Sequence, residues 1–298
     1  MQATPHFFLG VDGGATRCRA RLRDGTGAIL AEIEGPAANI YVDFDGAIAT
    51  ARAQIDGVCA KAGFDRVAKA RVALGLGLAG LSSQQDAQRV EAQFEGMVGV
   101  RAVNDAVTAC LGAHGGADGA LVIAGTGSAA VARARGRESV LGGRGFLLGD
   151  DGSAARVGAD AVRAALRAHD GLGPTSPMTQ EVMRRFRDDP LVAIEWAISA
   201  KPSGYGAFAP LVFECAAARD VVALTIVDAA ARAVDALIRA ARALGAERVV
   251  LVGGLSQPLR PYLDASSQVA LRSALFDAAD GAILLAGGVL PAGEIGEG

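Results

Sequence analysis

The chain has little of what would tie it to nucleic acid or to a membrane. Among its 298 residues 5% are aromatic and 20% are charged, and the net charge is −3. No basic stripe alternates with aromatic side chains, so nucleic acid is not an expected partner. No apolar run approaches the roughly 20 residues that span a bilayer, and residues 1–6 lack the charged start of a signal peptide. We therefore expect a cytoplasmic protein without membrane contact.

Cysteine and histidine are equally scarce. The four cysteines are far apart in the sequence and form no Cys-x-x-Cys pair: Cys18, Cys59, Cys110 and Cys215. This spacing is typical of buried thiols in a reducing compartment. The three histidines are also far apart, and only His114 lies within a few residues of a cysteine, Cys110, so we expect no structural zinc site.

Apolar residues and glycine are abundant, and they combine twice into the same pattern. The apolar segment Phe7–Val11 runs into Asp12-Gly13-Gly14-Ala15-Thr16, and Ala120–Ala124 runs into Gly125-Thr126-Gly127-Ser128. Glycines let backbone N–H groups close on an anion, and Thr and Ser hydroxyls add donors. The carboxylate of the first turn suits a metal ion or an ordered water. Two such turns predict two half-domains that bind one polyphosphate from both sides, although each turn could be a simple hairpin turn.

Strands and helices alternate along the chain, which predicts an α/β protein with sheets covered on both faces. The length favours two domains. Strand, glycine turn and strand occur in both halves, which indicates a duplicated architecture. Beyond the two turns, periodicity predicts helices at 47–62, 84–94, 106–111 and 153–168, three shorter helices to about 218, helices at 221–244 and 278–287, and strands at 18–22, 28–33, 72–78, 98–103, 129–134 and 249–252.

Three turn motifs follow predicted strands in a fixed order: Asp12–Thr16, Gly125–Ser128 and Val252-Gly253-Gly254-Leu255. They resemble the phosphate-1, phosphate-2 and adenosine motifs of the actin/sugar kinase/Hsp70 ATPase superfamily. The finer resemblance, carried by residues 35–39, 77–80, 104–106 and 142–153, is to the N-acetylglucosamine kinase and BadF/BadG/BcrA/BcrD ATPase group.

This resemblance implies two ribonuclease-H-like (actin-like ATPase) domains in tandem with a cleft between them. Residues 1–106 would form the N-terminal domain on the sugar side, and residues 107–298 the C-terminal domain on the nucleotide side. The last helix can pack back on the N-terminal domain. ATP and Mg²⁺ are the implied cofactors, and a homodimer is common in this fold group.

The resemblance also assigns roles to individual residues. Asp105 would be the general base that deprotonates the sugar hydroxyl, although Asp is also a favoured N-cap for a helix beginning at Ala106. Asp12 would orient Mg²⁺ through its waters, since Mg²⁺ dehydrates reluctantly. The implied ATP-binding residues are Asp12, Gly13, Gly14, Thr16, Gly125, Thr126, Gly127, Ser128, Gly253 and Gly254. The implied sugar-binding residues are Asn39, Gly80, Asn104, Asp105, Gly145 and Asp150.

Two of these sugar-binding assignments have structural alternatives. Asp150, like Asp151 beside it, could serve only as a capping and dipole partner for the helix from Ser153. Asn39 could be a simple loop residue. One position departs from the family: Arg144 stands where members commonly carry Trp. A cation in place of an aromatic wall could alter the pocket rim, accept an anionic substrate group or lie over the nucleotide, so the choice of sugar stays open.

The implied function is an ATP-dependent amino-sugar kinase that phosphorylates O6 of N-acetylglucosamine or glucosamine. The alternative is an ATPase activator of a radical dehydratase or reductase. Such activators hold a [4Fe–4S] cluster on closely placed cysteines, and this chain has none close in sequence. A sugar-sensing regulator is a third class, but its usual N-terminal helix-turn-helix has no room before a first strand at about residue 7.

Overall fold

The computed structural model describes residues 6–14 and 16–291. The segment 1–5, considered above for a signal peptide, and Ala15 of the first glycine turn lie outside the described residues. In chain order the elements are β1 (Phe7–Gly13), β2 (Cys18–Asp24), β3 (Ile29–Gly35), α1 (Phe44–Lys61), α2 (Arg66–Lys69), β4 (Val72–Leu78), α3 (Gln84–Glu91), β5 (Gly99–Asn104), α4 (Asp105–Ala113), β6 (Gly119–Ala124), β7 (Ser128–Ala134), β8 (Arg137–Gly142), α5 (Ala154–His169), α6 (Pro177–Arg185), α7 (Pro190–Ser199), α8 (Pro202–Gly206), α9 (Ala209–Ala217), α10 (Val221–Ala243), β9 (Val249–Val252), α11 (Ser256–Leu259), a 3-10 helix (Arg260–Tyr262), α12 (Ala265–Ala270) and α13 (Ala278–Leu285).

The described residues form two compact units. The first comprises the residues up to Asp118 together with those from Ser273 onward, and the second is Gly119–Arg272. The sequence analysis placed the division between residues 106 and 107, which lies within the first turn of α4. The structure places it after α4, because that helix packs on β4, β5 and α13.

The first unit is built on a five-stranded sheet with the order β3-β2-β1-β4-β5. Strands β1, β2 and β3 form an antiparallel meander, and β4 and β5 run parallel to β1. Helix α1 covers one face, where Leu9 and Val11 share a buried cluster with Ile48 and Ile55. Because side chains alternate across a strand, Phe8 and Gly10 face the opposite side, which is covered by α13.

Helix α13 approaches the sheet and α4 so closely that only glycine fits at several contacts. A β-carbon on Gly10 would collide with the Ala279 carbonyl oxygen, and one on Gly75 with that of Ala282. A β-carbon on Gly281 would likewise collide with the Thr108 carbonyl oxygen of α4. The last helix therefore belongs to the first unit, packed backbone against backbone.

Buried ion pairs reinforce this attachment. Arg21 and Arg23 of β2 are 8% and 5% exposed, and Asp280 of α13 is 3% exposed. Asp280 lies 2.8 Å from Arg21 Nη1 and 2.9 Å from Arg23 Nε, and Asp277 lies 2.7 Å from Arg21 Nη2. Each buried guanidinium thus has a carboxylate from α13, and without this helix the two cations would lack these partners.

The second unit carries a four-stranded sheet with the order β8-β7-β6-β9. Strands β6, β7 and β8 form an antiparallel meander, and β9 runs parallel to β6. This repeats the β3-β2-β1-β4 pattern of the first unit, so the predicted α/β class and duplicated strand pattern are confirmed. Strand β8 was not predicted, because its six residues lie at the sheet edge and alternate only weakly in burial.

Helices make up most of the second unit. Four of them, α6 to α9, replace the three that the sequence predicted before residue 218. Pro177, Pro190 and Pro202 each stand at the start of a separate helix, where a missing N–H costs nothing. Within the described part of the chain, no helix has the length and apolarity needed to cross a membrane.

Candidate active site

Three parallel strands of the first unit end level with one another. Gly13 pairs with Leu78, and Leu78 pairs with Asn104. The chain beyond β4 bonds back to β1, because Ala79 N–H donates to the Gly13 carbonyl at 2.7 Å. In open α/β sheets ligands collect beyond the carboxyl ends of the strands. This edge therefore gathers most of the residues predicted for the first unit's site.

Asp12 is half-buried at this edge, next to the first glycine turn. Burial and the negative charge of Asp105 raise the pKa of its carboxyl to about 6, against the opposing effect of Arg19. In the turn itself, Gly14 N–H donates to the Arg17 carbonyl at 2.9 Å. Thr16 of this turn is exposed, so its hydroxyl is a donor that the turn can offer an anion.

Asp105 is the first residue of α4, and the residue before it caps the helix. Asn104 Oδ1 accepts from Ala106 N–H at 3.0 Å, and its Nδ2 donates to the Leu81 carbonyl at 3.0 Å. The suggestion that Asp105 is the N-cap was therefore wrong by one residue. Asp105 Oδ1 also accepts from Ala106 N–H, at 2.9 Å, yet burial outweighs this bond and raises the pKa of Asp105. A carboxylate in this state is a stronger proton acceptor than a solvated one.

Asn39 and Gly80 lie together on the same edge. Asn39 bridges to Ala79, and its Oδ1 accepts from Tyr41 N–H at 3.0 Å. Gly80 has φ +84°, and a β-carbon there would lie 2.5 Å from Tyr41 Cβ. The amide nitrogen of Asn39 is the group that its side chain can offer to a ligand. Sequence reasoning missed Tyr41, which has no motif to mark it.

In the second unit, the second and third glycine turns pack against each other. Gly125 N–H donates to the Gly127 carbonyl at 2.9 Å, and the Gly125 carbonyl accepts from Ala154 N–H at 2.8 Å. Gly253 has φ +101°, and a β-carbon there would collide with the Ala124 carbonyl oxygen. The bond from Ala154 joins the end of β6 to the start of α5, and the close approach of Gly253 brings the turn after β9 against the same place. Thr126, Gly253 and Gly254 are exposed around this junction.

Asp150 lies against the second glycine turn. A β-carbon on Gly127 would come within 2.9 Å of Asp150 Oδ2, and Asp150 itself has a left-handed backbone with φ +58°. The cap of α5 is Ser153, as predicted, with its hydroxyl accepting from Arg156 N–H at 3.2 Å. Since Ser153 makes this bond, the Asp150 carboxylate is not the side chain that caps the helix.

Two further residues that were predicted for the site in this unit, Ser128 and Gly145, differ from each other in burial. The Ser128 hydroxyl donates to the Asp151 carbonyl at 2.7 Å and is buried, so it holds the loop in place. Gly145 is exposed with φ +81°, and its surroundings are open. Arg144, the departure from the family, is also exposed.

Arg156 organises the loop between β8 and α5, and no motif in the sequence indicates this role. Its Nη2 donates to the Phe146 carbonyl at 2.9 Å and to the Gly149 carbonyl at 3.2 Å. Its guanidinium also lies 5.3 Å from the centre of the Phe146 ring. Arg156 therefore supports the segment that ends at Asp150.

The two sheets and the ordered glycine turns define an α/β ATPase of the actin-like class, with the same strand pattern in each unit. The sequence profile of the BadF/BadG/BcrA/BcrD ATPase family matches residues 9–286. The chain belongs to this family, as the motifs had indicated.

Two curated relatives align over most of the chain. It is 32% identical to a glucosamine kinase of Vibrio cholerae, over 95% of this chain and 96% of the relative. It is 30% identical to an N-acetyl-D-glucosamine kinase of Dictyostelium discoideum, over 81% of each chain. A candidate N-acetylglucosamine kinase from Chromobacterium violaceum has a similar structure, with a TM-score of 0.82, 32% identity and coverage of 95% of this chain and 99% of that one. Each of these three proteins is named as a kinase that acts on an amino sugar.

Proposed function

We propose that this member of the family, an ATP-dependent sugar kinase, transfers the γ-phosphoryl group to O6 of glucosamine or N-acetylglucosamine. The observation that supports this most directly is Asp105. Its carboxylate lies at the carboxyl edge of three parallel strands, and it is not the cap of α4, because Asn104 caps that helix. The two acceptors differ only in the 2-substituent, and the relatives' names divide between them.

In the proposed reaction, O6 attacks the γ-phosphorus as its proton passes to Asp105. The new O6–P bond forms, the bond from the γ-phosphorus to the bridging oxygen breaks, and ADP leaves with that oxygen. The raised pKa of Asp105 suits this role, because a general base is most effective when its pKa approaches the working pH. We assign Asn39, Gly80 and Asn104 of the first unit, and Gly145 and Asp150 of the second, to sugar binding.

Magnesium fits the residues present only as a partner of the nucleotide. Among residues 6–14 and 16–291, no three His, Cys, Asp or Glu side chains are grouped to hold a metal ion. Mg²⁺ commonly binds through one carboxylate, several waters and substrate phosphates, and Asp12 supplies such a carboxylate. When bound, the ion would shield phosphate charge.

The proposed nucleotide site draws on both units. It consists of Gly13, Gly14 and Thr16 of the first unit and of Gly125, Thr126, Gly127, Ser128, Gly253 and Gly254 of the second.

The test is a coupled ADP-release assay with Mg·ATP and a panel of sugars. The panel contains N-acetylglucosamine, glucosamine, N-acetylmannosamine, N-acetylmuramic acid and glucose. We expect strong turnover with an amino sugar, and NMR of the product should place the phosphate on O6. A homodimer and a cytoplasmic location stay predictions, which sedimentation and cell fractionation would check.

Slow ATP hydrolysis that no sugar accelerates would contradict the kinase proposal and favour the ATPase-activator branch. That branch requires thiolates for an iron–sulfur cluster. Burial raises the pKa of the Cys18 thiol to about 12 and also raises that of Cys59, so neither is a ready thiolate. Iron analysis of the purified protein, with its visible absorption, would decide between the branches.

Replacing Gly253 with alanine is expected to weaken nucleotide binding. The new β-carbon would collide with the Ala124 carbonyl oxygen at a left-handed backbone position, which would push the second and third turns apart. Overpacking of this kind costs about 1–3 kcal/mol, so we expect the KM for ATP to rise about tenfold. Gly99→Ala is the matched control, because its surroundings are open. An unchanged KM for ATP in Gly253→Ala would remove this turn from the nucleotide site.

A further inference from the structure

A large aromatic side chain is exposed to solvent at the strand edge that also carries the proposed catalytic carboxylate. Tyr41 is 85% exposed, whereas the residue before it, Ile40, is 8% exposed. Tyrosine is usually found with its ring at least partly covered. The next residue, Val42, is 79% exposed, so the two form an exposed apolar pair, which is a candidate for contact with a ligand.

The backbone that carries this ring is fixed. Tyr41 N–H donates to Asn39 Oδ1 at 3.0 Å, and Ile40 N–H donates to the Ala79 carbonyl at 3.0 Å. The Asn39 carbonyl accepts from Val42 N–H at 3.3 Å and from Asp43 N–H at 3.1 Å. Anchored on both sides, Tyr41 can present its ring with little loss of backbone entropy on binding.

Its position is set by Gly80. The α-carbon of Gly80 lies so near Tyr41 that a β-carbon there would be 2.5 Å from Tyr41 Cβ. Gly80 comes two residues after Leu78, which pairs with Asn104 on β5. The ring is therefore attached to the strand edge that also carries Asp105.

We propose that Tyr41 contacts the amino sugar through its ring and sets much of the affinity for it. This inference rests on the proposed function and assigns one more residue to that site. The flat face of an aromatic ring suits the apolar C–H face of a hexose, and it also attracts a cationic amine. The phenol hydroxyl is not needed for this contact.

The experiment compares Tyr41→Ala with Tyr41→Phe. We expect Tyr41→Ala to raise the KM and the calorimetric Kd for the sugar about tenfold, with the KM for ATP unchanged. Tyr41→Phe should stay within about twofold of the unaltered protein, because it keeps the ring. Ile29→Ala is the control, since Ile29 is another exposed apolar residue of the first unit, at 53%.

Two results would overturn the inference. One is an unchanged Kd for the sugar in a folded Tyr41→Ala protein, checked by circular dichroism. The other is an equal loss in Tyr41→Phe, which would move the contact from the ring to the hydroxyl. The proposed function is judged separately, by whether the unaltered protein phosphorylates any amino sugar. If it phosphorylates none, both ideas fail, whereas turnover with an insensitive Tyr41→Ala removes only this one.

Discussion

Asp105→Asn is expected to reduce kcat by about 10²- to 10⁴-fold, the usual contribution of a general base, with ATP affinity nearly unchanged. Asparagine has the same shape and can still accept from Ala106 N–H, the bond that Asp105 makes at 2.9 Å. It cannot take a proton from a sugar hydroxyl. The helix start should survive, because its cap is Asn104.

Asp45→Asn is the matched control, since Asp45 is also an acidic residue in the first turn of a helix, α1, and is exposed. The measurements are kcat with saturating sugar and the Kd for ATP by calorimetry. A loss of ATP affinity as large as the loss of kcat would place Asp105 in the nucleotide site. Turnover close to that of the unaltered protein would end its assignment as the base.

Asp280→Ala should lower the free energy of unfolding by about 3–5 kcal/mol, because it leaves the buried Arg23 without its carboxylate partner and removes one of the carboxylates paired with Arg21. Arg23 is 5% exposed and pairs with Asp280 at 2.9 Å, and Arg21 pairs with it at 2.8 Å. Urea unfolding followed by far-UV circular dichroism measures the change in the first unit. Asp56→Ala breaks a surface pair of the same unit, with Lys69, and should cost less than about 1 kcal/mol.

A double replacement separates charge burial from packing. Arg23→Leu together with Asp280→Leu removes the charge of both partners of one pair, so it should destabilise less than Asp280→Ala alone. If the double variant is at least as unstable as Asp280→Ala, the uncompensated charge is not the source of the loss.

The same cluster predicts how stability depends on pH. Burial acts to raise the pKa of Asp277, but hydrogen bonds and charge from Arg21 and Arg19 outweigh it and hold the pKa below its ordinary value of 3.8. A carboxyl with a lowered pKa in the folded state stabilises the protein above its unfolded pKa, and this is lost as pH falls through the folded pKa. The difference in stability between the unaltered protein and Asp277→Asn should therefore be full at neutral pH and shrink below pH 3.8. A difference that persists undiminished in acid would point to lost packing instead.

Much of the fold could be predicted because several of its strands are short apolar runs. Strands β4 and β9 have the predicted bounds, Val72–Leu78 and Val249–Val252, since each is an apolar run between breaks in the pattern. The edge strand β8 was not predicted, because four of its six residues are exposed. The division between the units was not predicted for another reason. Helix α4 is held by contacts with α13, which is distant in sequence.

The candidate site likewise has a part that could be predicted from the sequence and a part that could not. Motif residues such as Asp12 and Asp105 could be placed at strand ends from sequence, because glycine turns and short polar segments follow apolar runs. Which donors remain available could not be predicted. Gly14 N–H and the Ser128 hydroxyl bond to carbonyls of the chain itself, and these bonds depend on how each turn packs. The role proposed for Tyr41 could not be predicted either, because it rests on the contact between Tyr41 and Gly80.

The route of the chain has a consequence for biosynthesis. The first unit includes α13, in the part of the chain from Ser273 onward, so on the ribosome it cannot be completed until that helix has emerged. Gly119–Arg272 is continuous and can fold earlier, which reverses the usual N-terminal-first order. Until α13 arrives, Arg21 and Arg23 lack its carboxylates and the glycine-lined groove beside β1 is open. A nascent chain stalled before residue 273 should therefore be a substrate for chaperones in its N-terminal part, while its later segment is already folded.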